Sequence, residues 1–87
     1  MSKVNVKDLN VGDSAYYVID EPLDMASYTK IDVREKDKDH IIAWDFGIEH
    51  VIWLDFEYPP ILYSTEDDAA EYVHKANERK KIASFYL

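Results

Sequence analysis

Tyr28-Thr29-Lys30-Ile31-Asp32-Val33-Arg34-Glu35 alternates without a break. Thr29, Ile31 and Val33 fall on one side, Tyr28, Lys30, Asp32 and Arg34 on the other. This is the period-two pattern of a strand with one buried face. Upstream, Gly12-Asp13 offers a turn before Ala15-Tyr16-Tyr17-Val18-Ile19, a run suited to a pleated surface, and Asp20-Glu21-Pro22 ends it. Downstream, Glu35 to Asp39 holds no apolar residue and reads as an exposed turn.

A third strand follows over His40 to Phe46, with Ile42, Trp44 and Phe46 on one face, read as the core side. Gly47 allows a tight connection into a fourth strand, Glu49 to Glu57. There Ile52, Leu54 and Phe56 share one face and Val51 and Trp53 the other. Pro59-Pro60 stops that strand, because proline cannot donate to a ladder, and Ile61-Leu62-Tyr63 forms a short fifth.

A helix is then expected over about residues 66–83. Thr65 is a good N-cap, and Glu66, Asp67 and Asp68 fill the first turn, where the helix dipole favours negative charge. Lys75, Arg79, Lys80 and Lys81 come late, where it favours positive charge. Ala69, Tyr72, Val73, Ala76 and Ala83 recur at helical spacing and are expected to face the sheet. The fold expected is α+β, mainly β: one domain over residues 1–87, its strands within about 14–63, closed by one C-terminal helix. Such a sheet of four to five antiparallel strands must curl into a small barrel, or bend and be covered. The loop from Asp20 to Ser27 has no explanation at this level.

Composition narrows the function classes. The 87 residues are 47% hydrophobic and 14% aromatic, enough for a core, and carry a formal net charge of −8. There is no cysteine, which excludes disulfides and thiolate metal sites and suits a reducing compartment. No stretch approaches the ~18 apolar residues of a membrane helix, and the first residues lack the apolar run of a secretion signal. A cytoplasmic protein with no membrane partner is the expectation.

Val11-Gly12-Asp13 with Tyr16 and Tyr17, and Tyr63-Ser64-Thr65-Glu66-Asp67-Asp68-Ala69, carry a resemblance. The chain resembles a family of small proteins common in phages and Gram-positive bacteria. These open with a "VGD…Y" strand, run through an SH3-like barrel and start a terminal helix with "T-E-x-x-A". The resemblance implies an SH3-like barrel with a C-terminal helix and a phage-type origin, hence the host cytoplasm. It transfers no site residue.

The main functional signal is charge. Between Lys38 and Lys75 there is no lysine or arginine but nine acids, interleaved with Trp44, Phe46, Trp53, Phe56, Tyr58, Tyr63 and Tyr72. A coherent negative field repels nucleic acid and attracts basic protein surfaces. The candidate binding face is Asp45, Glu49, Trp53, Asp55, Glu57, Glu66, Asp67 and Asp68, with Trp53 as anchor. In its sharpest form these carboxylates mimic nucleic-acid phosphates, which requires that they share one side. The simpler alternative is a solvated acidic surface that confers solubility.

Other chemistry is poorly represented. His40, His50 and His74 show no metal-ligand spacing, although His40 lies near Asp37 and Asp39. No serine sits in a nucleophile elbow, and Gly47 alone makes no phosphate cradle. No catalytic, metal or cofactor-binding residue is assigned and no cofactor is expected. The protein is read as a non-enzymatic accessory factor or inhibitor, monomeric or homodimeric, that engages a basic protein. One rival is an assembly module docking through a sheet edge or the apolar Phe85-Tyr86-Leu87. Another is an SH3-like nucleic-acid-binding module, disfavoured by the charge.

Overall fold

Five strands form a single antiparallel sheet in the order β4-β3-β2-β1-β5, in a computed structural model that describes residues 2–54 and 60–85, with side chains to Ile82. The strands are β1 (Ser14–Ile19), β2 (Ser27–Lys36), β3 (His40–Asp45), β4 (Ile48–Trp53) and β5 (Ile61–Tyr63), followed by helix α1 (Glu66–Phe85). The architecture is α+β and mainly β. Among the described residues no pairing joins β4 to β5, so these two strands are the sheet's edges.

Register assigns the faces, because residues directly opposite one another in an antiparallel pair point the same way. Ala15 lies across from Ile31, Val33 from Ala43, Ile41 from Ile52, and Tyr17 from Leu62. These residues build the inner face, whose main cluster is buried against Val6 and Leu9. The cover is the N-terminal segment. Asn5 caps a 3-10 turn over Val6–Asp8 by accepting from the Lys7 N–H. Lys36 donates from Nζ to the carbonyls of Lys7 (2.9 Å) and Leu9 (2.7 Å), pinning that turn over the sheet.

The outer face carries the helix. Val18, Tyr63 and Ala69 are buried together, with Tyr16, Tyr28, Ile61, Tyr72 and Val73 around them. The helix packs on β1, β2 and β5. Ala69 and Ala76 are fully or nearly fully buried, and these small residues let the helix approach the strands closely.

The structure corrects the expected inward face of β3. Ile41 and Ala43 are completely buried, whereas Ile42 and Trp44 are half-buried on the outer face and Phe46 is 99% exposed beyond the strand. Both sides of this strand are apolar, so alternation alone leaves the choice open. Packing against Val33 and Ile52 makes it. A bulge at Arg34 shifts the β2–β3 register between Val33 and Glu35.

Smaller differences follow. Glu35 and Lys36 belong to β2 rather than to a turn. The turn itself is organised by Asp37, whose Oδ1 accepts from the N–H groups of Asp39 (2.7 Å) and His40 (3.0 Å). Helix α1 continues to Phe85, so its last turn holds no basic residue. Lys75 instead pairs with Glu71 one turn back, at 2.8 Å. Phe56, Tyr58, the Ala83 side chain, Tyr86 and Leu87 lie outside the described residues.

Lys80 explains the loop between β1 and β2. Its Nζ donates to Asp20 Oδ1 and to the carbonyls of Glu21 and Asp24, each at 2.6 Å. Tyr72 donates to Asp20 Oδ2 at 3.0 Å. Asn77 holds both backbone groups of Ala26, accepting from its N–H at 2.7 Å and donating to its carbonyl at 3.0 Å. The Lys80 ammonium holds the Asp20 carboxyl below its ordinary pKa; burial opposes this and the Tyr72 bond assists.

Candidate functional site

Trp44, Val51 and Trp53 share the outer face with Tyr16 and Tyr28, yet the helix packs over β2, β1 and β5 and gives β3 and β4 no comparable cover. The β3–β4 half is left open. Here Trp44 lies across from Asp32 on β2 and from Glu49 on β4. A groove of about 520 Å³ is lined by Lys30, Asp32, Arg34, Trp44, Phe46 and Gly47. Asp32 accepts from Ser14 Oγ at 2.5 Å. Trp53 is half-exposed (51%) and its ring lies 5.2 Å from that of His40.

The tip of this half is unusual. β3 and β4 are joined by the two-residue turn Phe46-Gly47, in which both residues have positive φ, 47° and 86°. A two-residue hairpin turn matching the strand twist requires that, and Asn-Gly or Asp-Gly normally supplies it. Phenylalanine is a poor choice for a left-handed conformation, and this one gains no burial in return. Alternation with Trp44 assigns Phe46 to the core, whereas its position directly before Gly47 marks it as the first residue of the turn.

The eight residues of the candidate acidic face are dispersed. Glu49 and Trp53 lie on β4, on the outer side. Glu66 and Asp67 are exposed at the helix start, also on the outer side but over the opposite half of the sheet. Three strand spacings, or ~14 Å, separate β4 from β1. Asp45 belongs to the inner face, in line with Ile41 and Ala43, with Oδ2 3.8 Å from His50 Nε2. Its Oδ1 and that imidazole nitrogen are buried without hydrogen-bond partners. Asp55 and Glu57 lie outside the described residues.

Asp68 has a structural task. It accepts from the N–H and hydroxyl of Ser2, which tie the N-terminus to the helix start. Those bonds hold its carboxyl below the ordinary pKa. Glu66 accepts from the Tyr28 hydroxyl at 3.0 Å, and this raises the phenol's pKa. Lys30 and Arg34, from the alternating stretch that precedes the cation-free one, fold onto the open face among its aromatics. The outer face is therefore aromatic with mixed charge around Trp44, and acidic at Glu49 and at the helix start.

No group of three or more histidine, aspartate or glutamate side chains could hold a metal ion among the described residues. No helix among them is long and apolar enough to cross a membrane. Comparison with known proteins finds no matching family model, no matching curated protein and no matching solved structure.

Proposed function

We propose that this is a non-enzymatic binding protein whose open outer face engages a basic protein surface. The observation that carries this is Phe46, fully exposed at a hairpin tip in a backbone conformation its side chain disfavours. Strain of this kind, on the order of 1–3 kcal/mol, persists where the surrounding structure imposes it, and it clusters at functional positions. Phe46, Trp44 and Trp53 supply aromatic anchors on one face, the residue class that dominates interface energetics. The net charge of −8 steers a basic partner toward the protein, and Glu49, Glu66 and Asp67 lie on the side that would meet it. Lys30 and Arg34 supply selectivity, because a partner cation placed over the groove is repelled there.

The phosphate-mimic version receives less support, since Asp45 faces the other way and Asp68 is engaged with Ser2. The small β-rich fold is consistent with an SH3-like architecture; a phage-type origin, which the resemblance alone implies, would place the protein in the host cytoplasm as an accessory or inhibitor.

The test is a tagged capture from bacterial lysate at low salt, with elution along a salt gradient. A basic protein should be retained, released at moderate salt, and lost by about tenfold or more with Trp53→Ala. Equal retention by wild type and by the Trp53→Ala, Glu49→Lys double variant would leave the acidic aromatic face as a solubilising surface.

A further inference from the structure

The two edges of the sheet are treated very differently. β5 has three residues, and its outer side is occupied by the N-terminal segment. Lys3 forms a bridge with Tyr63, Val4 donates its N–H to the Leu62 carbonyl at 2.8 Å, and Ser64 donates to the Ser2 carbonyl at 2.8 Å. β4 is twice as long and no described strand lies beyond it.

Which β4 groups face outward follows from its pairing. Leu54 donates its N–H to the Asp39 carbonyl across the β3–β4 ladder at 2.9 Å. Along a strand, backbone groups alternate in direction. Ile48, His50 and Ile52 therefore bond toward β3, and Glu49, Val51 and Trp53 turn their N–H and C=O groups outward. Natural edges are usually blunted by lysine, proline, a bulge or a covering segment. Ile48–Trp53 has no lysine, no proline and an unbroken register with β3. Glu49 is its one acidic residue, in a chain with 32% charged residues, and Ile48, Val51 and Trp53 are each about half-exposed or more. Depletion of charge with retention of aromatics is the composition of an interface core.

We infer that β4 is a homodimerisation edge, pairing antiparallel with β4 of a second copy about a two-fold axis at Val51 to make a continuous ten-stranded sheet. The occupant follows from self-complementarity. With Val51 opposite Val51 of the second copy, Glu49 falls opposite Trp53 and Trp53 opposite Glu49. All three outward-facing residues of each strand then find hydrogen-bonding partners. On the other face His50 meets Ile52 and Ile48 meets Leu54. No like charges are opposed in this register, whereas sliding the axis to Glu49 would set two carboxylates face to face. The acids at the helix start lie over the far half of each sheet, away from the seam. The contact is a two-fold, isologous one that closes on itself. An interface made largely by one strand pair is small, so affinity should lie near the micromolar range.

The dimer concerns the purified protein alone, so its test stands apart from capture of a basic partner. Sedimentation velocity from about 5 to about 500 µM should show a monomer–dimer equilibrium near the micromolar range. Salt should leave it unchanged or strengthen it, because screening reduces repulsion between two chains of charge −8. Val51→Lys, at a half-exposed position, should leave the circular dichroism unchanged and weaken the dimer about tenfold or more. Amide exchange should show concentration-dependent protection at Glu49, Val51 and Trp53. A monomer throughout this range would overturn the inference. So would a dimer that Val51→Lys leaves intact, or open-ended association without a dimer plateau.

Discussion

The outer face of one sheet is built two ways. Over β1 and β5 it is closed: Val18, Tyr63 and Ala69 are buried, and small helix residues bring α1 close to the strands. Over β3 and β4 it is open, with Trp44, Val51 and Trp53 in the same outward register but no helix above them. Hydrophobic residues are abundant in both halves. What differs is the polar fastening. In the closed half Asn77, Tyr72 and Lys80 satisfy the backbone and carboxylate of the 20–26 loop, and Ser2 is bonded to Asp68. In the open half the hairpin tip has an ill-suited residue, and on the inner face behind it Asp45 Oδ1 and His50 Nε2 are buried without hydrogen-bond partners. Exposed aromatics and backbone strain coincide on the open outer face, a combination that the proposed binding role would account for.

The sharpest way to break this contrast is to overpack the closed half. Ala69 is fully buried between helix and sheet, so Ala69→Leu should lower unfolding free energy by about 1–3 kcal/mol in a urea titration. A cost near zero would mean that the helix is loosely seated and the halves are less different than their burial indicates.

A substitution in the open half should have the opposite sign. Phe46→Asn places a residue suited to positive φ before Gly47, at a site that packs against almost nothing. It should raise stability by up to about 1 kcal/mol while weakening capture of the basic partner. Lower stability with unchanged capture would show that Phe46 is structural.

The smallest effect sharpens the role of the loop fastening. Asp20, Asp37 and Asp68 all have folded pKa values below their ordinary ones. The unfolded chain therefore takes up protons first as pH falls. The stability these groups confer is fully present above the ordinary carboxylate range, near pH 4, and is lost as pH drops through their folded values. Asp20→Asn should flatten part of that acid-side decline, measured by thermal unfolding across pH, with little change in its shape above about pH 5. An unaltered acid-side slope would mean that Lys80 holds the loop through the carbonyls of Glu21 and Asp24 alone.

Much of the local structure was legible because it rests on short-range chemistry. The alternation around Ile31 and Val33, the short strand after Pro59-Pro60 and the acid-rich helix start each appear where expected, since one face, one missing donor or one dipole suffices to specify them. The exposed side of Trp53 was legible too, because Ile52 and Leu54 oppose it. The proposed binding surface was harder to read. Phe46 looked like core, and Lys30 and Arg34 lay in a separate stretch from the acids that they interrupt in space. The basic residues of α1 looked like a dipole complement, but the helix runs beyond them and Lys80 reaches sideways to the loop.

By itself, then, the sequence determined the elements, their order and the sign of the molecule's field, because periodicity, caps, prolines and net charge act within a few residues or depend on composition alone. Tertiary structure decided which apolar side of β3 turns inward, which half of the outer face the helix covers, and how the carboxylates are distributed in space. Those choices depend on cross-strand register and on a helix too narrow to span five strands, and neither is encoded in any single segment.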